Sequence, residues 1–103
     1  PAPPLPCVRV PSTAEALARA AANLYGDPSA RLVVVGVTGT NGKTTITYLC
    51  RSVLEAAGRK VGVIGTVAYQ IGSETIPASH TTPGALELQG LLAKMIQAGL
   101  NSA

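Results

Sequence analysis

The sequence has few aromatic residues and few charges, which argues against two common modes of nucleic-acid binding. Its 103 residues include three Tyr and neither Phe nor Trp, so there is no aromatic platform on which bases could stack. Charged residues make up 13% of the chain, and the eight Lys and Arg are scattered along it rather than clustered. We therefore expect no basic stripe for duplex binding and no nucleic-acid partner.

Cysteines and long apolar runs are also scarce. Cys7 and Cys50 are too few and too far apart for a disulfide framework or a zinc-binding pattern. The sequence shows neither a signal peptide nor an apolar run of about eighteen residues, the length that predicts a transmembrane helix. A reducing cytoplasm without membrane contact is the predicted setting.

Hydrophobic residues are plentiful, at 47% of the chain, and predict a folded core. The length suits one small domain better than two separate cores. The sequence opens on Pro1, and it ends soon after an expected helix stop at Gly99, so we expect both ends to be cuts in a longer chain. Leu91, Leu92 and Met95 are then expected to face strands outside this chain, which leaves apolar surface that promotes aggregation.

The first half of the chain predicts two helices with a buried strand between them. Ser12 and Glu15 have the spacing of a capping box, which predicts a helix from about residue 13 to 24. The β-branched run 32–37 does not alternate with polar residues, as is typical of a strand covered on both faces in a parallel sheet. A helical pattern follows a glycine-rich loop and covers residues 43–57.

The second half predicts another buried strand and a hairpin. Residues 61–65 complete a strand, loop, helix, strand unit. Gly72 and Ser73 separate two strand-like runs, 66–71 and 74–76, which predicts a β-hairpin.

A last helix completes the predicted fold. Thr82 and Pro83 are residue types preferred at the N-cap and first position of a helix, and Gly99 is expected to end it. The predicted class is α/β, with a mostly parallel sheet, flanking helices and a β-hairpin insertion.

The glycine-rich loop has the composition of a phosphate cradle. Gly39 and Gly42 permit left-handed backbone, so N–H groups can approach phosphate oxygens near the positive end of the following helix. Lys43 is expected to contact the β- and γ-phosphates, and the hydroxyl of Thr44 to bind Mg²⁺. The match to the P-loop pattern is incomplete, because Val37 stands where its first glycine belongs. The alternative is a glycine-rich turn with a solvated lysine.

Three segments in this order, VTGTNGKTT (37–45), VIGTV (63–67) and HTTP (80–83), resemble the Mur ligase family. The resemblance runs from about residue 8 to 99, nearly the whole chain. It is strongest for the tripeptide-forming members of the family, because Thr-Thr-Pro follows a predicted hairpin.

The resemblance implies a P-loop ATP-binding domain within a three-domain enzyme. Residues 1–28 would end a UDP-binding N-terminal domain, and residues 29–103 would begin the central domain. ATP would phosphorylate the D-glutamyl carboxylate of UDP-N-acetylmuramoyl-L-alanyl-D-glutamate, and a diamino acid would attack the acyl phosphate. The chain alone is expected to be inactive, the full-length enzyme to be a monomer, and the identity of the amino acid stays open.

The resemblance also implies the site residues. Lys43 is the expected catalytic residue, and Thr44 the expected Mg²⁺ ligand. Thr82 is expected to act as an N-cap as well, and the simpler alternative for His80 is a loop histidine bonded to backbone. Cys50 is interpreted as a packed thiol. The expected ATP-binding residues are Gly39, Thr40, Asn41, Gly42, Lys43, Thr44 and Thr45, and those for the UDP-muramyl dipeptide are His80, Thr81 and Thr82.

The sequence is also compatible with other functions. Cyanophycin synthetase can share the phosphate loop and belongs to the same superfamily. A non-catalytic nucleotide-binding module would keep the loop without ligating anything, and a small α/β domain without a ligand is the simplest alternative.

Overall fold

The computed structural model of the protein describes residues 5–78 and 82–103. Within these ranges it contains three α-helices, three short β-strands and one 3₁₀ turn. No helix in the described ranges is long and apolar enough to cross a membrane. The helices are α1 (Thr13–Leu24), α2 (Lys43–Ala56) and α3 (Ala85–Gln97), the 3₁₀ turn is Pro28–Arg31, and the strands are β1 (Val63–Ile64), β2 (Ala68–Ile71) and β3 (Glu74–Pro77).

The helix α1 has the predicted bounds, and its cap explains where it begins. The backbone of Ser12 is extended, and its hydroxyl accepts a hydrogen bond from the amide of Glu15 at 3.3 Å. This bond satisfies one of the amides that the first turn of a helix leaves unpaired. The helix packs against α3, where Tyr25 faces Gly90.

The predicted β-hairpin is confirmed. β2 and β3 pair antiparallel with Ile71 opposite Glu74, and Gly72 takes a positive φ of 63° in the turn between them. β1 pairs with the other edge of β2, also antiparallel, with Val63 opposite Gln70. The described sheet is therefore antiparallel in the order β1, β2, β3, and the mostly parallel sheet that we expected is not formed by these strands.

Parallel pairing in the described residues is limited to a short region around Ser102. Val33 and Val61 each form an isolated parallel bridge with Ser102. Val35 extends the first of these, because it donates its N–H to the carbonyl of Ala103 at 2.9 Å. Ser102 thus lies between the segments of Val33 and Val61, which both run parallel to it. Each pairing is too short to form a regular strand.

The prediction of a doubly covered strand at 32–37 is wrong for the described structure. Leu32 is buried, but Val33, Val34 and Val35 are 45–50% exposed. Val34 and Val35 line a cleft beside α2, so they face open space rather than a packed helix. A β-branched run indicates an apolar segment, but it does not predict which element will pack on it and bury it.

The helix α3 begins later than predicted, and Thr82 is not its N-cap. Gly84 is extended (φ −64°, ψ 169°) and its carbonyl accepts the amide of Leu88 at 2.8 Å, so the first turn starts at Ala85. Pro83 is buried ahead of the helix and Thr82 is exposed. The Thr-Pro pair is typical of helix starts, but the extended backbone at Gly84 separates it from this one.

The hydrophobic core lies between α3 and the hairpin. The expectation that the apolar face of α3 needs strands from outside the chain is wrong, because Leu91, Leu92 and Met95 are buried within this chain. They pack in one cluster with the hairpin residues Tyr69 and Ile71, and α3 also contacts α1 and the 3₁₀ turn. Met95 is completely buried, and a Cβ atom at Gly62 would lie only 2.6 Å from its Sδ. The buried members of the cluster are Leu32, Tyr69, Ile71, Leu91, Leu92 and Met95.

Candidate functional site

A cleft of about 280 Å³ opens where the first turn of α2, residues 34–37 and the region around β1 meet. Its lining includes Lys43 and Thr44 from the predicted phosphate loop and Thr82 from the predicted substrate segment. The fold therefore brings Thr82, from the predicted substrate segment, to the same cleft as Lys43 and Thr44 of the predicted phosphate loop. His80 and Thr81 lie outside the described residues.

The loop before α2 has the backbone form that its glycines predict. Gly39 and Gly42 have φ of +148° and +79°, values that side chains strongly disfavour. A Cβ atom at Gly42 would meet nothing within 4 Å, so its φ, and not lack of space, is what requires glycine there. Gly42 is the N-cap of α2, and its carbonyl accepts the amide of Ile46 at 3.0 Å.

The first turn of α2 is suited to an anion. It has no side-chain cap and no acidic residue, so the amides that a helix start leaves unpaired are not satisfied by a side chain. These amides and the helix dipole favour a negatively charged group at this position.

Lys43 has no acidic partner in the part of the chain that the structure describes, where no carboxylate lies within 4 Å of its ammonium. The ion pair in this part of the chain joins Arg51 and Glu55 at 2.9 Å. Lys43 is half-buried, and its carbonyl accepts the hydroxyl of Thr47 at 2.7 Å. A partly desolvated cation beside free amides attracts phosphate more strongly than a fully solvated one.

The described residues contain no cluster of three or more His, Cys, Asp or Glu that could hold a metal ion. Thr44 is exposed and contributes a hydroxyl to the cleft lining. This donor fits one coordination position of Mg²⁺, a cation that keeps several waters and is commonly shared with substrate phosphates.

The structure adds site residues that the sequence analysis did not single out. Thr47 and Arg51 line the cleft, and their spacing of four from Lys43 and from each other was the available signal, because residues four apart share a helix face. Cys50, interpreted as a packed thiol, is only half-buried and also lines the cleft. Tyr48, whose direction the sequence left open, is half-buried and accepts a hydrogen bond from Gln70 at 3.3 Å.

The chain is similar to known proteins in a region that includes the phosphate loop. The family described as "Mur ligase middle domain" matches residues 37–103, a range that begins with this loop. A protein of Clostridium tetani named UDP-N-acetylmuramoyl-L-alanyl-D-glutamate--2,6-diaminopimelate ligase is 47% identical over 94 residues, which cover 91% of this chain and 19% of that protein.

Two further relatives carry the same name. The Geobacter metallireducens protein is 50% identical over 84 residues, covering 82% of this chain and 16% of its own length. The Caldanaerobacter subterraneus protein is 43% identical over 93 residues, which cover 90% of this chain and 19% of that protein. The chain thus spans less than a fifth of the length of the curated relatives it matches.

Proposed function

Because this chain belongs to the Mur ligase family, we propose that it carries the phosphate-binding part of an ATP-dependent ligase that extends a peptidoglycan precursor by one amino acid. The observation that supports this most directly is the shared cleft, which Lys43, Thr44 and Thr82 all line. The relatives are named for joining 2,6-diaminopimelate to UDP-N-acetylmuramoyl-L-alanyl-D-glutamate. We propose that this protein also acts on UDP-N-acetylmuramoyl-L-alanyl-D-glutamate and that a diamino acid is the incoming group.

The residues Gly39, Thr40, Asn41, Gly42, Lys43, Thr44 and Thr45 are proposed to bind ATP. The amides of the first turn of α2 hold phosphate oxygens, and Lys43 places its charge beside the β- and γ-phosphates. Thr44 is the proposed protein ligand of Mg²⁺, which neutralises phosphate charge when it is bound. Lys43 is the catalytic residue, because it stabilises the charge that develops as the γ-phosphoryl group is transferred.

The chemistry that this site serves has two steps. An oxygen of the D-glutamyl carboxylate attacks the γ-phosphorus, the bond to the β-phosphate oxygen breaks, and ADP leaves. The amine of the diamino acid then attacks the acyl phosphate, loses a proton and displaces inorganic phosphate. In the first step the protein aligns the carboxylate with the γ-phosphate, and such alignment supplies a large part of phosphoryl-transfer catalysis.

The acceptor substrate is proposed to bind beside Thr82. Its side chain is exposed at the cleft, and a hydroxyl can donate to carboxylate, phosphate or sugar oxygens. His80 and Thr81 are proposed to contact the UDP-muramyl dipeptide together with Thr82.

A boundary between two domains is proposed after residue 28. We propose that residues 1–28 end an N-terminal UDP-binding domain and that residues 29–103 begin the central ATP-binding domain. The family match beginning at residue 37, after α1, supports this division. We also propose a monomeric enzyme that works in the cytoplasm.

The test of the proposed function is ATP binding by the full-length ligase that contains this sequence. We expect Lys43→Ala to raise the ATP dissociation constant about 10- to 100-fold, the effect of losing a charge-assisted phosphate contact. Isothermal titration calorimetry with ATP and Mg²⁺ measures this. The matched control is Lys94→Ala, an exposed lysine on α3 outside the cleft, which should bind ATP as the parent does. Equal affinity of the parent and Lys43→Ala would reject the proposed site.

A further inference from the structure

The helix α2 is held to the rest of the molecule with little apolar burial. None of its residues is buried. Ile46, Leu49 and Val53 share one face at helical spacing and are 47–68% exposed. An element with few buried apolar contacts is easily shifted, so its polar contacts decide where the first turn of α2 lies.

Gln70 on β2 provides such contacts through both ends of its side-chain amide. Arg51 donates from Nη1 to Oε1 of Gln70. Gln70 in turn donates from Nε2 to the hydroxyl of Tyr48 at 3.3 Å. Arg51 is oriented by Glu55, whose Oε1 accepts from its Nε at 2.9 Å. One half-buried amide therefore joins the hairpin to two residues one turn apart on α2.

The same amide connects the two halves of the proposed site. α2 begins at Lys43, and the hairpin packs in the hydrophobic core with α3, whose N-cap Gly84 follows Thr82 and Pro83. Lys43, Arg51 and Thr82 all line one cleft. A shift of the hairpin against α2 therefore changes the spacing between the phosphate-binding turn and Thr82.

We propose that Gln70 is a positioning residue that fixes α2 against the hairpin and thereby couples ATP binding to binding of the UDP-muramyl substrate. This inference rests on the proposed function, because it gives Gln70 a role in the same site without contact with either substrate. Its two hydrogen bonds hold α2 at two residues, Tyr48 and Arg51, and Gln70 offers both an acceptor and a donor to make them.

Two substitutions at Gln70 separate loss of the bridge from its retention. Gln70→Leu removes both hydrogen bonds at similar side-chain size, whereas Gln70→Glu keeps an acceptor for Arg51 and offers a second carboxylate oxygen to which the Tyr48 hydroxyl can donate. In the full-length ligase we expect Gln70→Leu to lower kcat at least about tenfold, because small misplacements of reacting groups are costly. The KM of each substrate, measured with the other at saturation, should change by the lost coupling factor of about fivefold, because coupling acts equally on both ligands. Gln70→Glu should retain more of the parent kcat than Gln70→Leu.

The coupling itself is measured with ATP dissociation constants determined with and without the UDP-muramyl substrate. We expect the ratio of the two constants to be at least about fivefold in the parent enzyme, a typical size for coupled sites. It should fall towards one in Gln70→Leu. A purely structural role of Gln70 would lower the thermal midpoint without changing this ratio.

The matched control is Ser52→Ala, since the Ser52 hydroxyl bonds the carbonyl of Tyr48 within α2. It should leave kcat and the coupling ratio at parent values. If Gln70→Leu does not fold, Tyr48→Phe tests the same bridge by removing one bond, and it should lower the coupling ratio partially.

The outcomes separate this inference from the proposed function. A parent enzyme that binds ATP and ligates, with Gln70→Leu and Tyr48→Phe at parent kcat and coupling ratio, would overturn the role of Gln70 alone. A parent enzyme without ATP binding or ligation would overturn the proposed function instead.

Discussion

Gly62 lies close against Met95 of α3. A Cβ atom there would lie 2.6 Å from both Sδ and Cε of Met95 and 3.0 Å from its Cγ. Met95 is flexible, but it is completely buried, so the displaced thioether has no open space to enter. The absence of a side chain at Gly62 is thus a packing requirement, and its φ is not in the left-handed region.

We predict that Gly62→Ala lowers the free energy of unfolding of this chain by about 1–3 kcal/mol, as overpacking of a filled core usually does. Urea unfolding followed by circular dichroism measures the change. Gly36→Ala is the matched control, because a Cβ atom at Gly36 meets nothing within 4 Å. A loss for Gly62→Ala no greater than that for Gly36→Ala would show that Met95 does not fill this space.

At the scale of elements, the helix α1 depends on a local signal. The Ser12 hydroxyl accepts the amide of Glu15, and α1 buries only Ala21. We predict that Ser12→Ala destabilises α1 by about 1 kcal/mol, the usual cost of losing an N-cap. Hydrogen exchange of the α1 amides measures the loss of protection. Ser73→Ala, at the exposed tip of the hairpin, should leave that protection unchanged, and equal protection in Ser12→Ala would contradict the assigned cap.

The elements that the sequence predicts well are those whose signals are local. The cap at Ser12 and the Gly72 turn each specify a boundary within a few residues, and the structure has both. The run 32–37 is different, because burial of a strand is decided by elements far away in sequence. The predicted start of α3 is wrong because two neighbouring positions can serve as the N-cap, and Gly84 rather than Thr82 takes the extended N-cap conformation.

At the scale of the whole molecule, the cleft joins parts of the chain that lie far apart in sequence. Motif order predicted Lys43, Thr44 and Thr82 as site residues, and the structure places all three at one cleft. Gln70 could not be identified from the sequence, because its contact with Arg51 depends on how the hairpin packs beside α2. Local chemistry is thus readable from sequence, whereas the contacts that align two halves of a site require the fold.

The first turn of α2 is proposed to bind phosphate in the cleft that Thr82 also lines. The most direct test is amide NMR of the ¹⁵N-labelled full-length ligase that contains this sequence, titrated with ATP and Mg²⁺. We expect the largest shift changes on Gly39, Gly42, Lys43 and Thr44, with a smaller change at Thr82 and none along α1. Shift changes confined to α1 or α3, with the amides of residues 39–45 unmoved at saturating ATP, would contradict it.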